Sequence, residues 1–103
     1  MKLASIYLPK KDNNKKSLNK INRKLQSDLI NCFGGLTSYD GTGAWLDNKT
    51  NKFYNEPVTV FNIACSNTIK SKNIINDLAV KYKKLANQEA IFTAFNGTVR
   101  IVS

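Results

Sequence analysis

Two segments of the chain carry apolar residues at the three- and four-residue spacing of an amphipathic helix, and each lies between segments with a strand-like pattern. The first stripe consists of Leu18, Ile21, Leu25 and Leu29, extended by Ile30, Cys32 and Phe33. The second consists of Ile74, Ile75, Leu78, Tyr82 and Leu85. Two such helices can cover only one face of a sheet, so the other face must be solvated or covered by a ligand or partner.

The strand patterns flank both helices. The strand segments are residues 2–8, 36–46, 53–65, 89–95 and 98–102. Asn96-Gly97, between the last two, is a type I′ hairpin signal. The order β-α-β-β-α-β with an added strand predicts an α+β, ferredoxin-like fold: an antiparallel sheet with both helices on one face and an extra strand from a C-terminal β-hairpin. We expect a single domain over residues 1–103.

The ends of the helices are also marked in the sequence. Ser17 is placed to cap the N-terminus of the first helix, and Gly34-Gly35 to end it in the left-handed conformation that glycine adopts readily. Ser66 or Asn67 is expected to cap the second helix.

The charge of the chain is strongly positive and unevenly distributed. Sixteen Lys and Arg residues against seven Asp and Glu residues give a net charge of +9, which favours an anionic partner such as a nucleotide, a nucleic acid or an acidic protein. Residues 10–24 form a basic segment that contains Lys16 and Arg23, two candidate ligands for phosphate groups. The alternative is that this segment is a solvated face that keeps the protein soluble.

The composition predicts a protein that is not an enzyme. The chain has no histidine, which excludes Ser-His-Asp and Cys-His catalysis and the usual general base near neutral pH. Cys32 and Cys65 are expected to be buried free thiols, and no carboxylates show paired-acid or metal-ligand spacing. We therefore expect no catalytic residue, metal or cofactor. The apolar segments are too short for a membrane span or a signal peptide, so we expect a cytoplasmic location.

The stretch FGGLTSYDGTGAW, residues 33–45, contains four of the five glycines and the only tryptophan. A phosphate-binding loop needs a strand, a glycine loop and then a helix, whereas these glycines follow a helix. If the segment is extended, one face of the strand carries Thr37, Tyr39, Gly41, Gly43 and Trp45. The glycines then leave a shelf between aromatic walls. The alternative is a β-bulge that bends the strand and lets Trp45 pack in the core.

For the shelf, the candidate ligand-binding residues are Thr37, Tyr39 and Trp45, joined by Arg100 on the last strand. Stacking of a base on an aromatic side chain contributes about 1–3 kcal/mol, and an arginine fork binds an anion through charge-assisted hydrogen bonds. Arg100 has an alternative role as a charge that protects an edge strand from aggregation.

The motifs FGGLT, GTGAW, EPV and NQEA, within residues 30–95, follow the pattern F-G-G-x-T, G-x-G-x-W, E-P-V and G-Q-E/A. This pattern resembles that of small uncharacterised phage and plasmid proteins, and a related pattern occurs in a family with a ferredoxin-like fold. Asn87 here replaces the glycine that often precedes Gln88. The resemblance implies an origin in a mobile element. Small basic phage proteins often block host defence, and those that sequester a nucleotide signal are usually symmetric, so we also expect a homo-oligomer.

These observations lead to one functional hypothesis. The chain is predicted to be a phage-encoded, non-enzymatic anti-defence protein that binds and sequesters an anionic nucleotide immune signal of the cyclic-nucleotide or ADP-ribose type. Two alternatives stay open at this point: a nucleic-acid-binding accessory protein that uses the basic segment, and a protein-protein inhibitor of a host defence complex.

Overall fold

The computed structural model describes residues 1–103 and contains five strands and two helices. In chain order they are β1 (Lys2–Pro9), α1 (Asn19–Phe33), β2 (Thr37–Asp47), β3 (Lys52–Cys65), α2 (Ile69–Leu85), β4 (Ile91–Phe95) and β5 (Thr98–Val102). The strands form one sheet in the order β2-β3-β1-β4-β5, in which all neighbouring strands are antiparallel. The predicted α+β, ferredoxin-like fold with an extra C-terminal strand is confirmed. No helix is both long enough and apolar enough to span a membrane.

Strand β1 lies at the centre of the sheet, between β3 and β4. Its side chains alternate between the two faces, and those that face the helices, Ala4, Ile6 and Leu8, are fully buried. The core between sheet and helices also contains Leu25 and Leu29 of α1, Ile75 and Tyr82 of α2, and Phe61 and Ile63 of β3. Burial stabilises the fold by roughly 1.5–3 kcal/mol for each large apolar side chain, and it holds both helices on one face of the sheet.

The two ends of α1 differ in how well the sequence predicts them. Gly34 has φ 88°, in the left-handed region, and its N–H donates to the carbonyl of Ile30 at 2.7 Å, as expected for a glycine C-cap. At the other end, Leu18 occupies the cap position without a side-chain hydrogen bond. Ser17, the predicted cap, lies one residue earlier, and its hydroxyl accepts a hydrogen bond from the N–H of Asn19 at 3.2 Å.

The N-cap of α2 is Thr68, and not Ser66 or Asn67 as predicted. The backbone of Thr68 is extended, and its hydroxyl accepts a hydrogen bond from the N–H of Ser71 at 3.1 Å. Ser66 contributes to the same cluster through its hydroxyl, which lies 2.9 Å from the hydroxyl of Ser71.

The β4–β5 hairpin confirms the Asn96-Gly97 signal, because these residues have φ 50° and 82°, the positive values that a type I′ turn requires. Strand β4 starts two residues later than the predicted residue 89. Its first residue, Ile91, pairs with Val102, the last residue of β5. No residue of β5 is left to pair with residues 89 and 90.

Both cysteines are free, but only Cys65 is buried. Cys32 is exposed, so the predicted extension of the first helical stripe is partly wrong. Ile30 is also exposed, because it lies one residue after Leu29 and therefore about 100° around the helix from it. Phe33, one turn after Leu29, does pack against the core.

A hydrogen-bonded cluster joins the two helices. The hydroxyl of Tyr82 donates to Asp28 Oδ2 at 2.5 Å, and Lys81 Nζ lies 3.0 Å from the same oxygen. The hydrogen bonds from Tyr82 and then from Lys81 lower the pKa of the Asp28 carboxyl. Burial, with the neighbouring carboxylate, raises the pKa of the Tyr82 hydroxyl, which therefore remains a donor.

Tyr82→Phe is expected to lower the free energy of unfolding by about 1–2 kcal/mol at neutral pH, because a hydrogen bond to a charged group is lost while the ring still packs. The pKa of Asp28 is lower in the folded than in the unfolded state. Its contribution is therefore present above the unfolded-state pKa and is lost as the pH falls through the folded-state pKa. Urea unfolding over a series of pH values should show the difference between wild type and variant shrinking in acid.

The matched control for this measurement is Tyr39→Phe, which removes a hydroxyl from an exposed tyrosine. Equal losses in Tyr82→Phe and Tyr39→Phe, or a Tyr82→Phe loss that does not change with pH, would contradict the role given to the cluster.

Candidate functional site

The sheet face opposite the helices is uncovered. The pairing of β2 with β3 runs without interruption from Thr37 opposite Asn62 to Asp47 opposite Lys52, so β2 contains no bulge. The predicted alternation along β2 therefore holds, and the uncovered face carries Tyr39, Gly41, Gly43 and Trp45. Trp45 is 47% exposed, so the alternative in which this side chain packs in the core is wrong.

A groove of about 590 Å³ lies on this face, within the range of about 300–1,000 Å³ that is usual for small-ligand sites. Its lining includes Tyr7 and Pro9 of β1, Gly41, Gly43 and Trp45 of β2, Glu56, Val58 and Val60 of β3, Phe92 of β4 and Ile101 of β5. All five strands contribute to it. The groove therefore exists only when the whole sheet has formed.

The two glycines of β2 keep the groove open. A Cβ atom at Gly43 would lie 3.6 Å from Glu56 Cγ and from Val58 Cγ1, and one at Gly41 would lie 3.4 Å from Val58 Cγ2. Any side chain at these positions would cover the residues of β3 that line the groove. Neither glycine has a positive φ, so what they provide is space rather than an unusual backbone conformation.

Aromatic pairs lie near both ends of the groove. Tyr7 and Phe92 meet edge to face, with ring centroids 6.5 Å apart. Trp45 stacks on Tyr54, with ring centroids 5.5 Å apart and an angle of 17° between the ring planes. Along β3, Tyr54 lies six residues from Val60, the partner of Tyr7, which is about 20 Å of strand. Aromatic faces bind flat rings by stacking and cations by electrostatic attraction.

Glu56 is the one charged residue that lines the groove. Burial raises the pKa of its carboxyl. The ion pairs of the protein join Lys10 to Asp40 and Lys81 to Asp28, so Glu56 has no cationic partner. A partly buried carboxylate without a partner is unfavourable, and a bound cation would relieve that cost. In a protein of net charge +9, the groove is a site of the opposite sign.

Reasoning from the sequence did not single out Glu56, Tyr7 or Phe92. For Glu56 a signal was present. Counting outward along the two strands from the polar connection between them places Glu56 opposite Gly43, as the register confirms. Glu56 then falls on the face of the shelf. No group of three or more His, Cys, Asp or Glu residues is placed to hold a metal ion.

The residues predicted to bind a ligand do not form a single site. Thr37, Tyr39 and Trp45 share the uncovered face, but of these only Trp45 lines the groove. Lys16 lies in the loop before α1 and Arg23 lies on α1, and both are exposed and outside the groove. Their role as phosphate ligands stays a prediction.

Arg100 lies on the opposite side of the sheet from Trp45. It pairs with Thr93, and both Thr93 and Val102 on this side are buried under the helices. Since side chains alternate along β5, the neighbours of Arg100 face the groove while Arg100 does not. The expected pairing of Arg100 with the aromatic shelf is therefore wrong in geometry, and Arg100 lines a separate cavity instead.

Comparison with known proteins gives a family and a fold. Residues 29–100 match the family described as "Protein of unknown function (DUF3574)". No curated protein sequence matches the chain. Two solved structures share the fold: a phage SAM lyase in complex with S-methyl-5'-thioadenosine, with a TM-score of 0.75, and a phage SAM lyase in the apo state, with a TM-score of 0.73. Each match is 11% identical and covers 99% of this chain and 88% of the other.

This likeness corrects two predictions. The hypothesis of a non-enzymatic protein that sequesters a nucleotide signal, and the expectation that the chain is not an enzyme, are both wrong, because the two matching solved structures are of an enzyme. The expectation that the chain is not an enzyme rests mainly on the missing histidine. That absence excludes reactions that need an imidazole, but it does not exclude catalysis by other groups.

Glu56→Gln is expected to raise the free energy of unfolding of the ligand-free protein at neutral pH, because it removes a partly buried negative charge that has no partner. The pKa of Glu56 is higher in the folded than in the unfolded state. The wild type therefore loses stability as the pH rises through the folded-state pKa. Thermal unfolding as a function of pH should show the two proteins converging in acid and the variant more stable at neutral pH.

Glu89→Gln is the matched control, since Glu89 is exposed and does not line the groove. A Glu56→Gln protein less stable than wild type at neutral pH, or one that behaves like Glu89→Gln, would contradict this description of the groove.

Proposed function

The chain belongs to the family described as "Protein of unknown function (DUF3574)", and for this member we propose a lyase activity on S-adenosylmethionine. The protein would bind this substrate in the groove and release S-methyl-5'-thioadenosine. The observation that carries the proposal is Glu56, an unpaired and partly buried carboxylate inside a groove with aromatic walls. The proposal is supported by the likeness of the fold to that of phage SAM lyases, and by a groove whose residues suit the binding of this substrate.

The chemistry of S-adenosylmethionine matches the groove in three respects. Its sulfonium group is a permanent cation, which the carboxylate of Glu56 attracts. The rings of Tyr7 and Trp45 add cation–π attraction, worth about 0.5–2 kcal/mol, and a surface on which adenine can stack. The substrate is also long, because a nucleoside and an amino acid lie on opposite sides of the sulfur. A groove that follows about 20 Å of strand accepts such a molecule in an extended form.

The proposed reaction breaks the bond between the sulfonium sulfur and the γ carbon of the methionine part. The electron pair stays on sulfur, which becomes the neutral thioether of S-methyl-5'-thioadenosine. Because the leaving group needs no proton, no histidine is required to supply one. The neutral product loses its ion pair with Glu56, which favours its release.

The four-carbon fragment has two ways to complete the reaction without water. Its own carboxylate oxygen can bond to the γ carbon, or its β carbon can lose a proton. In the first route Glu56 binds and orients the cation. In the second route Glu56 also accepts the proton, a role to which its raised pKa is suited.

A phage origin and an anti-defence role belong to the same proposal. The two matching solved structures are of phage proteins, which agrees with the resemblance to phage and plasmid proteins. Consumption of S-adenosylmethionine would deprive the host enzymes that use it, including those that act in defence. The cytoplasmic location, where this substrate would be met, stays a prediction.

The expected homo-oligomer also becomes part of this proposal. Leu3, Phe92, Val99 and Ile101 are exposed large apolar residues, and in the alternation of their strands they fall on the uncovered face. Phe92 and Ile101 line the groove, whereas a second copy of the chain placed against Leu3 and Val99, beside the groove, would bury these two side chains. Nucleic acid and host defence proteins, expected as partners of the basic segment, stay predictions.

The direct test is incubation of the purified protein with S-adenosylmethionine and chromatographic separation of the products. We expect S-methyl-5'-thioadenosine and a four-carbon amino-acid product in equal amounts. The second route predicts that Glu56→Gln reduces kcat/KM by about 10²–10⁴-fold, the range for loss of a catalytic base, and the first route predicts a smaller loss through a raised KM. Asp77→Asn also removes one negative charge, from an exposed position on α2 outside the groove, and should leave activity unchanged.

A third variant, Gly43→Val, tests the place of binding. The new side chain suits a strand but lies over Glu56 and Val58, so it should raise KM while the protein remains folded. The proposal is overturned if the folded wild type releases no S-methyl-5'-thioadenosine, or if Glu56→Gln retains full activity.

A further inference from the structure

A second cavity lies on the helix side of the sheet, between α2 and the β4–β5 hairpin. Its volume is about 440 Å³, and none of its lining residues is shared with the groove. Two cationic side chains line it, Lys72 of α2 and Arg100 of β5, and no Asp or Glu does. The ion pairs of the protein involve neither residue. The cavity therefore contains two positive charges that no protein group neutralises.

The start of α2 adds to this concentration of positive charge. The N-terminus of a helix carries a partial positive charge, and acidic residues are favourable there. The first turn of α2 contains no acidic residue, and Lys72 lies three residues after its first residue, Ile69. Departures of this kind from the local rules of stability are expected at functional sites.

Thr93 adds a hydroxyl to the lining of the cavity. The buried polar residues are Ser5, Ser71 and Thr93. Ser5 donates to Asn62 Oδ1 at 2.6 Å, and the hydroxyl of Ser71 lies 2.9 Å from that of Ser66. Thr93 is only 5% exposed and lines the cavity. Its hydroxyl is not among the enclosed polar atoms that lack a partner, so it is accessible to donate a hydrogen bond to a ligand in the cavity.

Asn76, one helical turn after Lys72, gives an independent indication of a ligand. Its Oδ1 atom is buried and makes no hydrogen bond, and the residue lines the same cavity. The amide nitrogen of the same side chain carries two N–H donors. Lys72 and Asn76 on α2, with Thr93 and Arg100 on the hairpin, thus surround one space with hydrogen-bond donors.

We propose that this cavity binds a phosphoryl oxoanion, either free phosphate or the phosphate group of a nucleotide. The guanidinium of Arg100 can bind two oxygens at once, the ammonium of Lys72 adds a second charge, and the hydroxyl of Thr93 completes the set of donors. The cavity is separate from the groove, so the proposal of anion binding does not depend on the proposed lyase activity.

The test is a ¹⁵N–¹H NMR titration of the full chain with sodium phosphate, in which sodium chloride is exchanged to hold the ionic strength constant. We expect saturable shifts of the backbone amides of Lys72, Thr93 and Arg100. Arg100→Gln and Lys72→Gln should each weaken binding by about tenfold or more, because each removes a charge-assisted hydrogen bond. Thr93→Val, which keeps the shape of the side chain, should weaken it severalfold.

Lys70→Gln is the matched control, because it removes the same charge from the same helical turn but from a residue that does not line the cavity. It should keep the wild-type affinity. Shifts that grow linearly without saturation, or an equal loss in Lys70→Gln, overturn the proposal. Lys72 is an exposed helix residue, so Lys72→Gln supplies the test if Arg100→Gln does not fold.

A second titration with adenosine 5'-monophosphate identifies the source of the phosphoryl group. Tighter binding than that of phosphate, with shifts at the same residues, supports a nucleotide as the ligand. Equal or weaker binding at these residues supports free phosphate. Shifts confined to the groove residues, with no response of the cavity to either ligand, overturn the proposal.

Discussion

The alternation of side chains along β1 and β3 is the constraint on which the rest of the structure depends. On β1, Ala4, Ile6 and Leu8 face α1 and α2 and are fully buried, while Tyr7 and Pro9 line the groove. One face of β1 therefore packs in the core, and the other face lines the groove. Because the helices stabilise the fold from one side only, the residues on the other side are free to serve a ligand. A shift of one residue in register would exchange the two sets and destroy both.

The distribution of charge is the second property that the fold determines. The chain as a whole has a net charge of +9, yet the one charged residue that lines the groove is the carboxylate of Glu56. The cavity on the helix side has the opposite character, with Lys72 and Arg100 and no acidic residue. The proposed cationic substrate and the proposed anionic ligand would therefore bind on different faces of the same sheet. The positive net charge of the chain agrees with the charge of the cavity on the helix side, but it is opposite to the charge of Glu56 in the groove.

The sequence predicted the parts of the fold that depend on one element at a time. The period of the apolar residues gave both helices, Gly34 ended the first of them, and the alternation along β2 gave the face of Trp45. Arg100 was misplaced because its face relative to Trp45 depends on the pairing of β2 with β5 through three intervening strands. No single strand contains that information.

Glu56 and the proposed enzyme class were missed for related reasons. The spacing of acidic residues along the chain does not reveal a site that is assembled across strands. Glu56 can be placed in the groove only once its pairing with Gly43 is known. The missing histidine was given too much weight. A sulfonium leaving group departs without general acid catalysis, so this class of reaction leaves no histidine signal in a sequence.

The fluorescence of Trp45 during a titration with S-methyl-5'-thioadenosine tests the central claim most directly, because Trp45 is the only tryptophan and lines the groove. We expect a saturable change in the wild type, and a titration shifted to at least about tenfold higher ligand concentration in Gly43→Val, whose new side chain lies over Glu56 and Val58. No binding by the folded wild type would contradict the claim. So would binding detected by calorimetry that leaves the fluorescence of Trp45 unchanged and is equally strong in Gly43→Val.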